Sequence, residues 1–485
     1  MGYFEDHLLP SEKNAIPYIP VMTEYLDFIC GKYGSQIALS DPEQIVRYDE
    51  LADRVARRRQ VLRRLNLPAH GNIGLFDVNS IAEVEWFLAV TTAGYAAVML
   101  PASLSPEVLK NAAHHYDLAA VAAGKALAEK TEGLSVPVIS MDDMDETPAG
   151  PAEVAPTDRA AVFFTGGTTG TPKGVILSHR AILRGSHNGT FRPGSMFGQT
   201  SVAVLPLTHV FGTIFGVLAG LYSGSHVAVC GNIRNLFKEM ARVQPTTMVA
   251  VPGMAEMMLN IARSRGPEAL GGKLNLVICG AAPVPPKLHA GFMEYGVDVK
   301  GGYGMTETAN LVSANYDMDE YPTSVGQQYP CQESRIVDGE LQVRGDMLFD
   351  GYWKDEETTR ASFDGDWFRT GDLARIDEKG YMYITGRIKN LILLPNGENV
   401  SPEEVEENFA RCPYVQECLA SETEIAGKPA ILLEVYPVPG QDAEQVLREL
   451  RRISGTLPGT MQPARIELRD EPFEKSPSMK IIRKK

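Results

Sequence analysis

Short runs that are apolar without alternation recur along most of this chain, and they restrict the fold more than any other feature. "NIGLFDV" (72–78), "AAVMLP" (96–101), "SVAVLPL" (201–207), "HVAVCG" (226–231), "TTMVAVPG" (246–253) and "LNLVICG" (274–280) are each bounded by Gly or Pro. Between them lie segments of helical period such as "IAEVEWFLAVTTAGY", "VFGTIFGVLAGLY", "IRNLFKEMARVQ" and "MAEMMLNIARSRG". A strand apolar on both faces must be covered on both, and an intervening helix lets neighbouring strands run parallel. The expectation is therefore an α/β fold with a large N-terminal domain of parallel-type sheets covered by helices. Ligands of such folds bind at the carboxyl ends of the strands.

Near residue 370 the texture changes. "LARID", Glu378-Lys379-Gly380 and "YMYIT" read as a hairpin, and Ser401-Pro402-Glu403-Glu404 opens the helix "PEEVEENFA" as a cap with Pro at its first position. "PAILLEVYP" is a strand and "DAEQVLRELRRI" a helix. The expected division is 1–387 for the large domain and 388–485 for a small, mobile α+β domain.

With 46 basic against 61 acidic residues the chain carries −15, so nucleic acid is excluded as a general partner and an anionic ligand needs a local site. Six Cys without a CxxC pair indicate neither a zinc site nor a disulfide framework. Ser201 to Ile233 contains no Asp, Glu, Lys or Arg, but Pro206, His209 and several Gly interrupt it. It reads as buried strand, helix, strand rather than a membrane span. The acids of "MGYFEDHLLPSEKN" do not suit a signal peptide, and the expected location is the cytoplasm.

The stretch "TGGTTGTPKG", Thr165 to Gly174, follows the apolar Ala161-Val162-Phe163-Phe164. A loop so rich in Gly costs conformational entropy, which close backbone approach to a ligand would repay. Converging N–H groups, Thr hydroxyls and Lys173 make a cradle for phosphate. The Walker pattern does not fit, because Pro172 precedes Lys173 and Gly174 follows it. Three further stretches concentrate polar side chains: "GGYGMTET" (301–308), "DWFRTGDL" with Asp372, and "GRIKN" with Arg387 and Lys389. Individually each has a plainer explanation, as a helix cap at Glu307, an Asx turn at Asp372 or a surface cation at Arg387.

Together, in this order, "TGGTTGTPKG", "GYGMTET", "RTGD" and "GRIKN" resemble the motifs of the AMP-forming adenylating enzymes: acyl-CoA synthetases, the adenylation domains of peptide synthetases, and luciferases. The resemblance runs from "VRYDELADRVARRRQVLRRL" to the last Lys and is nearest to fatty acyl-CoA ligases. It implies that Thr165, Gly166, Gly167, Thr168, Thr169, Gly170 and Lys173 hold the departing pyrophosphate of ATP. Gly280, Ala281 and Ala282 would lie against the purine, with Tyr303 and Gly304 offering adenine a flat face. Thr306 would donate to the α-phosphate and Glu307 would ligate Mg²⁺. Asp372 would accept from both ribose hydroxyls, Arg387 would assist at the ribose and phosphate side, and Lys389 would be the hinge.

"FEKSPSMKIIRKK" resembles the family's last motif, with Lys480 as the lysine that bridges carboxylate and α-phosphate. Glu474, Ser476 and Met479 stand where that motif has Pro, Thr and Gly. Asn390 likewise replaces the usual Asp, and Gly166 a frequent Ser.

The implied reaction has two steps. A carboxylate attacks ATP, giving acyl-adenylate and pyrophosphate, and the thiol of coenzyme A then displaces AMP. The family's small domain rotates between the steps and brings in the loop "LPNGENVSPEEVE", where Gly397 would line the tunnel for the pantetheine arm. ATP, Mg²⁺, coenzyme A and a small carboxylic acid are the implied ligands. "LPLTHVFGTIFG" lacks the acid that an α-ammonium needs, so an amino acid is not expected. His209, Phe211, Gly212, Gly280, Gly302 and Met305 would form the acyl pocket. A medium or long fatty acid is the first expectation and an aryl acid the second. An acyl carrier protein is the alternative acceptor, and the compact "CQESRIVDGELQVRGDML", without an insertion, favours coenzyme A.

Overall fold

The computed structural model describes residues 15–165, 173–191, 197–395, 398–425, 427–475 and 481–483. Packing divides the chain into a unit of residues 1–333 with 344–366 and a unit of residues 334–343 with 367–485. That division falls ahead of residue 388, because the strand Trp367–Ile376 and its partner Met382–Arg387 pack with the C-terminal part.

The N-terminal unit contains two large sheets. In the seven-stranded sheet, Asn72–Phe76, Ala96–Met99, Leu118–Ala123, Val138–Ser140 and Arg159–Phe164 are joined by parallel pairings. Gly174–Ser178 then turns back antiparallel beside Arg159–Phe164 and carries the short edge strand Gly351–Tyr352. In the nine-stranded sheet, Thr200–Ala203, His226–Val229, Thr247–Ala250, Leu276–Cys279 and the start of Asp298–Met305 run parallel. Asn310–Asn315 adds antiparallel to Asp298–Met305, and the short strand Gln327–Gln328 forms the edge beyond it. All residues of Asn72–Phe76, Ala96–Met99 and Leu276–Cys279 are buried, as runs without alternation require.

The uncharged segment after residue 200 is strand, helix, strand. Its helix Phe211–Leu218 is wound as a π-helix before continuing as Ala219–Tyr222, and all of these residues are buried. Among the described residues, no helix is long and apolar enough to cross a membrane.

Helix Tyr48–Arg64 faces helix Ile81–Thr92 through charge as well as apolar contact. Glu85 is fully buried and accepts from Arg58 Nε and Nη2 at 2.9 and 2.7 Å and from Arg54, while Arg58 lies over the Trp86 ring. In the C-terminal unit, strands Val415–Ile425, Lys428–Pro437 and Arg465–Leu468 form a sheet with helices Pro402–Ala410 and Ala443–Ser454. Ser401 and Asp442 cap those helices, accepting from the N–H of Glu404 and Gln445 at 3.3 and 2.8 Å.

Three histidines of the N-terminal unit, His179, His187 and His226, are pushed down to about 4 by burial. All three are tied into close contacts: the Met22 N–H donates to His179 Nδ1 at 3.3 Å, His187 Nε2 lies 2.9 Å from the Ile16 carbonyl, and His226 Nε2 lies 2.7 Å from Ser40 Oγ. The unfolded chain therefore binds protons that the folded unit refuses, so stability is complete above pH ~6.5 and is lost as pH falls toward ~4. The thermal midpoint of the N-terminal unit is expected to drop across that window. A profile flat from pH ~6.5 to ~4 would contradict this reading of the three rings.

Candidate active site

The Gly/Thr-rich loop expected to cradle phosphate leaves the carboxyl end of Arg159–Phe164 and returns in Gly174–Ser178, with Phe164 paired to Gly174. The Thr165 N–H donates to the Lys173 carbonyl at 3.1 Å, so its two ends are fixed side by side. Gly166, Gly167, Thr168, Thr169, Gly170, Gly397 and Lys480 lie outside the described residues.

"GGYGMTET" is not followed by a helix. Asp298–Met305 starts parallel to Leu276–Cys279, continues antiparallel to Asn310–Asn315, and turns through the short 3₁₀ segment Thr306–Thr308. The Thr308 hydroxyl fixes that turn, accepting from the Met305 N–H at 3.0 Å and donating to the Asn310 carbonyl at 2.7 Å. Tyr303, Gly304, Met305 and Thr306 are half-buried, while Glu307 is 7% exposed. Gly302 and Gly304 are confined by the returning strand, since a Cβ there would meet the Ser313 and Asn310 carbonyls at 2.8 and 2.0 Å.

Glu307 meets a residue that the motifs did not single out. The Tyr352 phenol donates to Glu307 Oε1 at 2.8 Å, and the Phe349 N–H donates to the Glu307 carbonyl at 2.9 Å. On its other side Lys173 Nζ lies 4.8 Å from the Tyr352 ring centroid. Burial, and then the neighbouring carboxylate, push the Tyr352 phenol well above its ordinary value, so it remains a donor. "DGYWKD" carries no signal beyond that of an edge strand, and only the pairing of Tyr352 with Val175 brings the ring to the loop.

A second junction joins residues expected to line an acyl pocket. A Cβ on Gly280 would meet the Phe211 ring at 2.7 Å, so this glycine admits the ring. The next residue, Ala281, has φ +68, a conformation that an alanine adopts only under constraint. Ala282 beside it is half-buried. Gly212 packs against the Pro206 carbonyl, which leaves no room for a Cβ, and His209 is half-buried two residues before the helix Phe211–Leu218. Asn79, also absent from the motifs, clamps this segment: its amide donates to the Leu205 carbonyl at 2.8 Å and its carbonyl accepts from the Leu207 N–H at 3.0 Å.

In the C-terminal unit, Asp372 and Arg387 are cross-strand partners, and the guanidinium grips the carboxylate with both Nε and Nη2. Gly371 at φ +70 makes the kink before Asp372, and Glu340 holds it by accepting from the Gly371 N–H at 3.0 Å. Asp372 is 3% exposed. Lys389 is exposed on the short 3₁₀ turn Ile388–Asn390, and Asn390 donates to Glu403 at 2.6 Å.

The donors present suit Mg²⁺ brought in with a nucleotide. Among the described residues, no three His, Cys, Asp or Glu side chains gather as a self-sufficient metal site. Glu307 instead supplies one nearly buried carboxylate with an oriented oxygen, and Mg²⁺ typically takes one or two carboxylates with phosphate oxygens and water.

Comparison with known proteins bears on the family and the fold. The chain is 33% identical over 353 residues to a long-chain fatty acid CoA ligase of Escherichia coli O157:H7, covering 68% of this chain and 62% of that one. It is 30% identical over 324 residues to the peroxisomal long chain acyl-CoA synthetase 7 of Arabidopsis thaliana, covering 54% and 46%. The chain thus spans about half the length of the curated relatives it matches, between 46% and 62% for these two. Among solved structures, an anthranilate CoA ligase in complex with anthranoyl-AMP superposes with TM-score 0.86 at 22% identity over 97% of both chains. The o-succinylbenzoate CoA synthetase of Bacillus subtilis, with its acyl-adenylate, gives 0.81 at 23% identity over 95% and 96%. These two likenesses establish the fold. Because residues 27–353 match the family described as AMP-binding enzyme, this chain belongs to that family.

Proposed function

We propose that this chain is an ATP-dependent, AMP-forming acid–thiol ligase that activates a medium or long fatty acid and transfers it to coenzyme A. The observation that carries the reading is the approach of Lys173 and Glu307 to one tyrosine, at the ends of strands from the two sheets. A cation suited to pyrophosphate and a carboxylate suited to Mg²⁺ thus share one tyrosine, which supports the reading. Bound Mg²⁺ would supply charge neutralisation at the phosphates.

In the first step a carboxylate oxygen bonds to the α-phosphorus and the bond to the β-phosphate oxygen breaks, so pyrophosphate leaves with the electron pair. Thr165 and Lys173 hold that leaving group, Thr306 donates to the α-phosphate, and Lys480 offsets the charge that builds there. Tyr303, with Gly280, Ala281 and Ala282, receives the adenine, and Asp372, oriented by Arg387, accepts from the ribose. In the second step the thiol sulfur bonds to the acyl carbon and AMP leaves. Lys389 is the hinge between the steps and Gly397 lines the path of the thiol. Acid-dependent release of pyrophosphate from ATP tests the reading, and release with no acid of any class would reject it.

The fatty-acid assignment draws on the long-chain relatives, whereas one observation favours an aryl acid. The Phe211 ring occupies the space beside Gly280 and packs 5.5 Å from the Phe215 ring, so two aromatic side chains crowd the expected acyl region, which suits a flat acid better than a long chain. Phe211→Ala is expected to raise kcat/KM for long or bulky acids about tenfold relative to short ones. An unchanged acid profile would remove Phe211 from the pocket.

A further inference from the structure

Tyr352 touches two residues that belong to different ends of the proposed ATP site. Its position is fixed by the edge strand Gly351–Tyr352 and by the Thr359 hydroxyl, which accepts from the Tyr352 N–H at 2.9 Å. The Phe349 ring packs edge-on against it at 4.9 Å. From this fixed base the phenol reaches the Glu307 side chain, while the Phe349 N–H holds the Glu307 carbonyl. The ring itself supports the Lys173 ammonium, and Lys173 lies two residues ahead of Val175, the strand partner of Tyr352.

We propose that Tyr352 is a positioning residue for adenylation, which presets Glu307 for Mg²⁺ through its hydroxyl and seats Lys173 of the phosphate loop on its ring. The inference rests on the ATP-dependent reading above. Mg²⁺ recruits few protein ligands, so its retention depends on how well the one carboxylate is oriented. A donor behind a ligating carboxylate typically changes metal affinity by 10–100-fold. The cation–π contact to Lys173 is a separate contribution of the same side chain. The two functions can therefore be removed one at a time.

Tyr352→Phe keeps the ring and removes the hydroxyl, whereas Tyr352→Leu removes both. Two titrations with Mg²⁺ at fixed ATP would be run on each: the rate of pyrophosphate release, and the ATP-dependent rise in melting temperature. Tyr352→Phe is expected to move both Mg²⁺ midpoints upward about tenfold, with little change in KM for ATP at saturating Mg²⁺. Tyr352→Leu should add a further rise of about two- to fivefold in that KM. In a Glu307→Gln background, Tyr352→Phe should produce no further shift. Equal Mg²⁺ midpoints for wild type and Tyr352→Phe would overturn the proposal, as would wild type without any ATP-dependent stabilisation. Failure of the ligase reading is separable: wild type would release no pyrophosphate with any acid, while the thermal titration would still register Tyr352.

Discussion

Lys480→Ala is expected to lower acid-dependent pyrophosphate release by roughly two to three orders of magnitude, the range found when one stabilising donor is removed from a transition state. Thioester formation from supplied acyl-adenylate should stay near the wild-type rate, because that step has no pentavalent phosphorus to stabilise. The chain on both sides of this lysine is anchored within the C-terminal unit. Lys475 pairs with Glu417 at 2.6 Å, and Arg483 donates to both carboxylate oxygens of Glu406 at 2.8 and 2.7 Å. Replacing Lys480 by alanine removes a charge without touching either anchor. Pyrophosphate release at the wild-type rate would remove Lys480 from the first step.

The second large effect concerns stability. Glu85→Ala would leave Arg58, 2% exposed, without the carboxylate that accepts from its Nε and Nη2. Burial already lowers the Arg58 pKa, and the Glu85 charge is the largest influence opposing that shift. Breaking a buried pair by removing one partner costs about 3–5 kcal/mol, because the remaining charge is uncompensated. The denaturation midpoint of the N-terminal unit should fall accordingly. Joint replacement of Glu85 and Arg58 by apolar residues should cost less than Glu85→Ala alone, since the buried Arg58 charge is then removed and the remaining partner of Glu85, Arg54, is 24% exposed and reaches water. A loss below about 1 kcal/mol for Glu85→Ala would show that water reaches Arg58.

The parallel strands were legible in the sequence because burial on both faces leaves a run without alternation, as in "AAVMLP" and "LNLVICG". The family followed from four motifs in order. What the sequence did not carry was pairing between distant or short segments. Strand Ile37–Ser40 pairs with His226–Val229, and the two-residue strand Gly351–Tyr352 pairs with Val175 and Ile176. Neither has a local signature, and the second brings Tyr352 to Glu307. The hairpin after Met305 was also hidden, since "TETANLVSAN" reads equally as the start of a helix. The π winding of Phe211–Leu218 shares its apolar pattern with an ordinary helix, so its presence at residues expected to line an acyl pocket came only from the backbone. Asp372 and Arg387 were each legible as unusual polar residues, but their pairing depends on the register that places them opposite each other.

The central claim is that a carboxylic acid is joined to a thiol through AMP. The most direct test is mass detection of products after incubating the protein with ATP, Mg²⁺ and fatty, aryl and amino acids, with and without coenzyme A. Acyl-adenylate is expected without coenzyme A, and the acyl-CoA of one acid class, with AMP, when coenzyme A is present. An adenylate that persists unchanged in the presence of coenzyme A would contradict that expectation and assign the second step to a carrier protein.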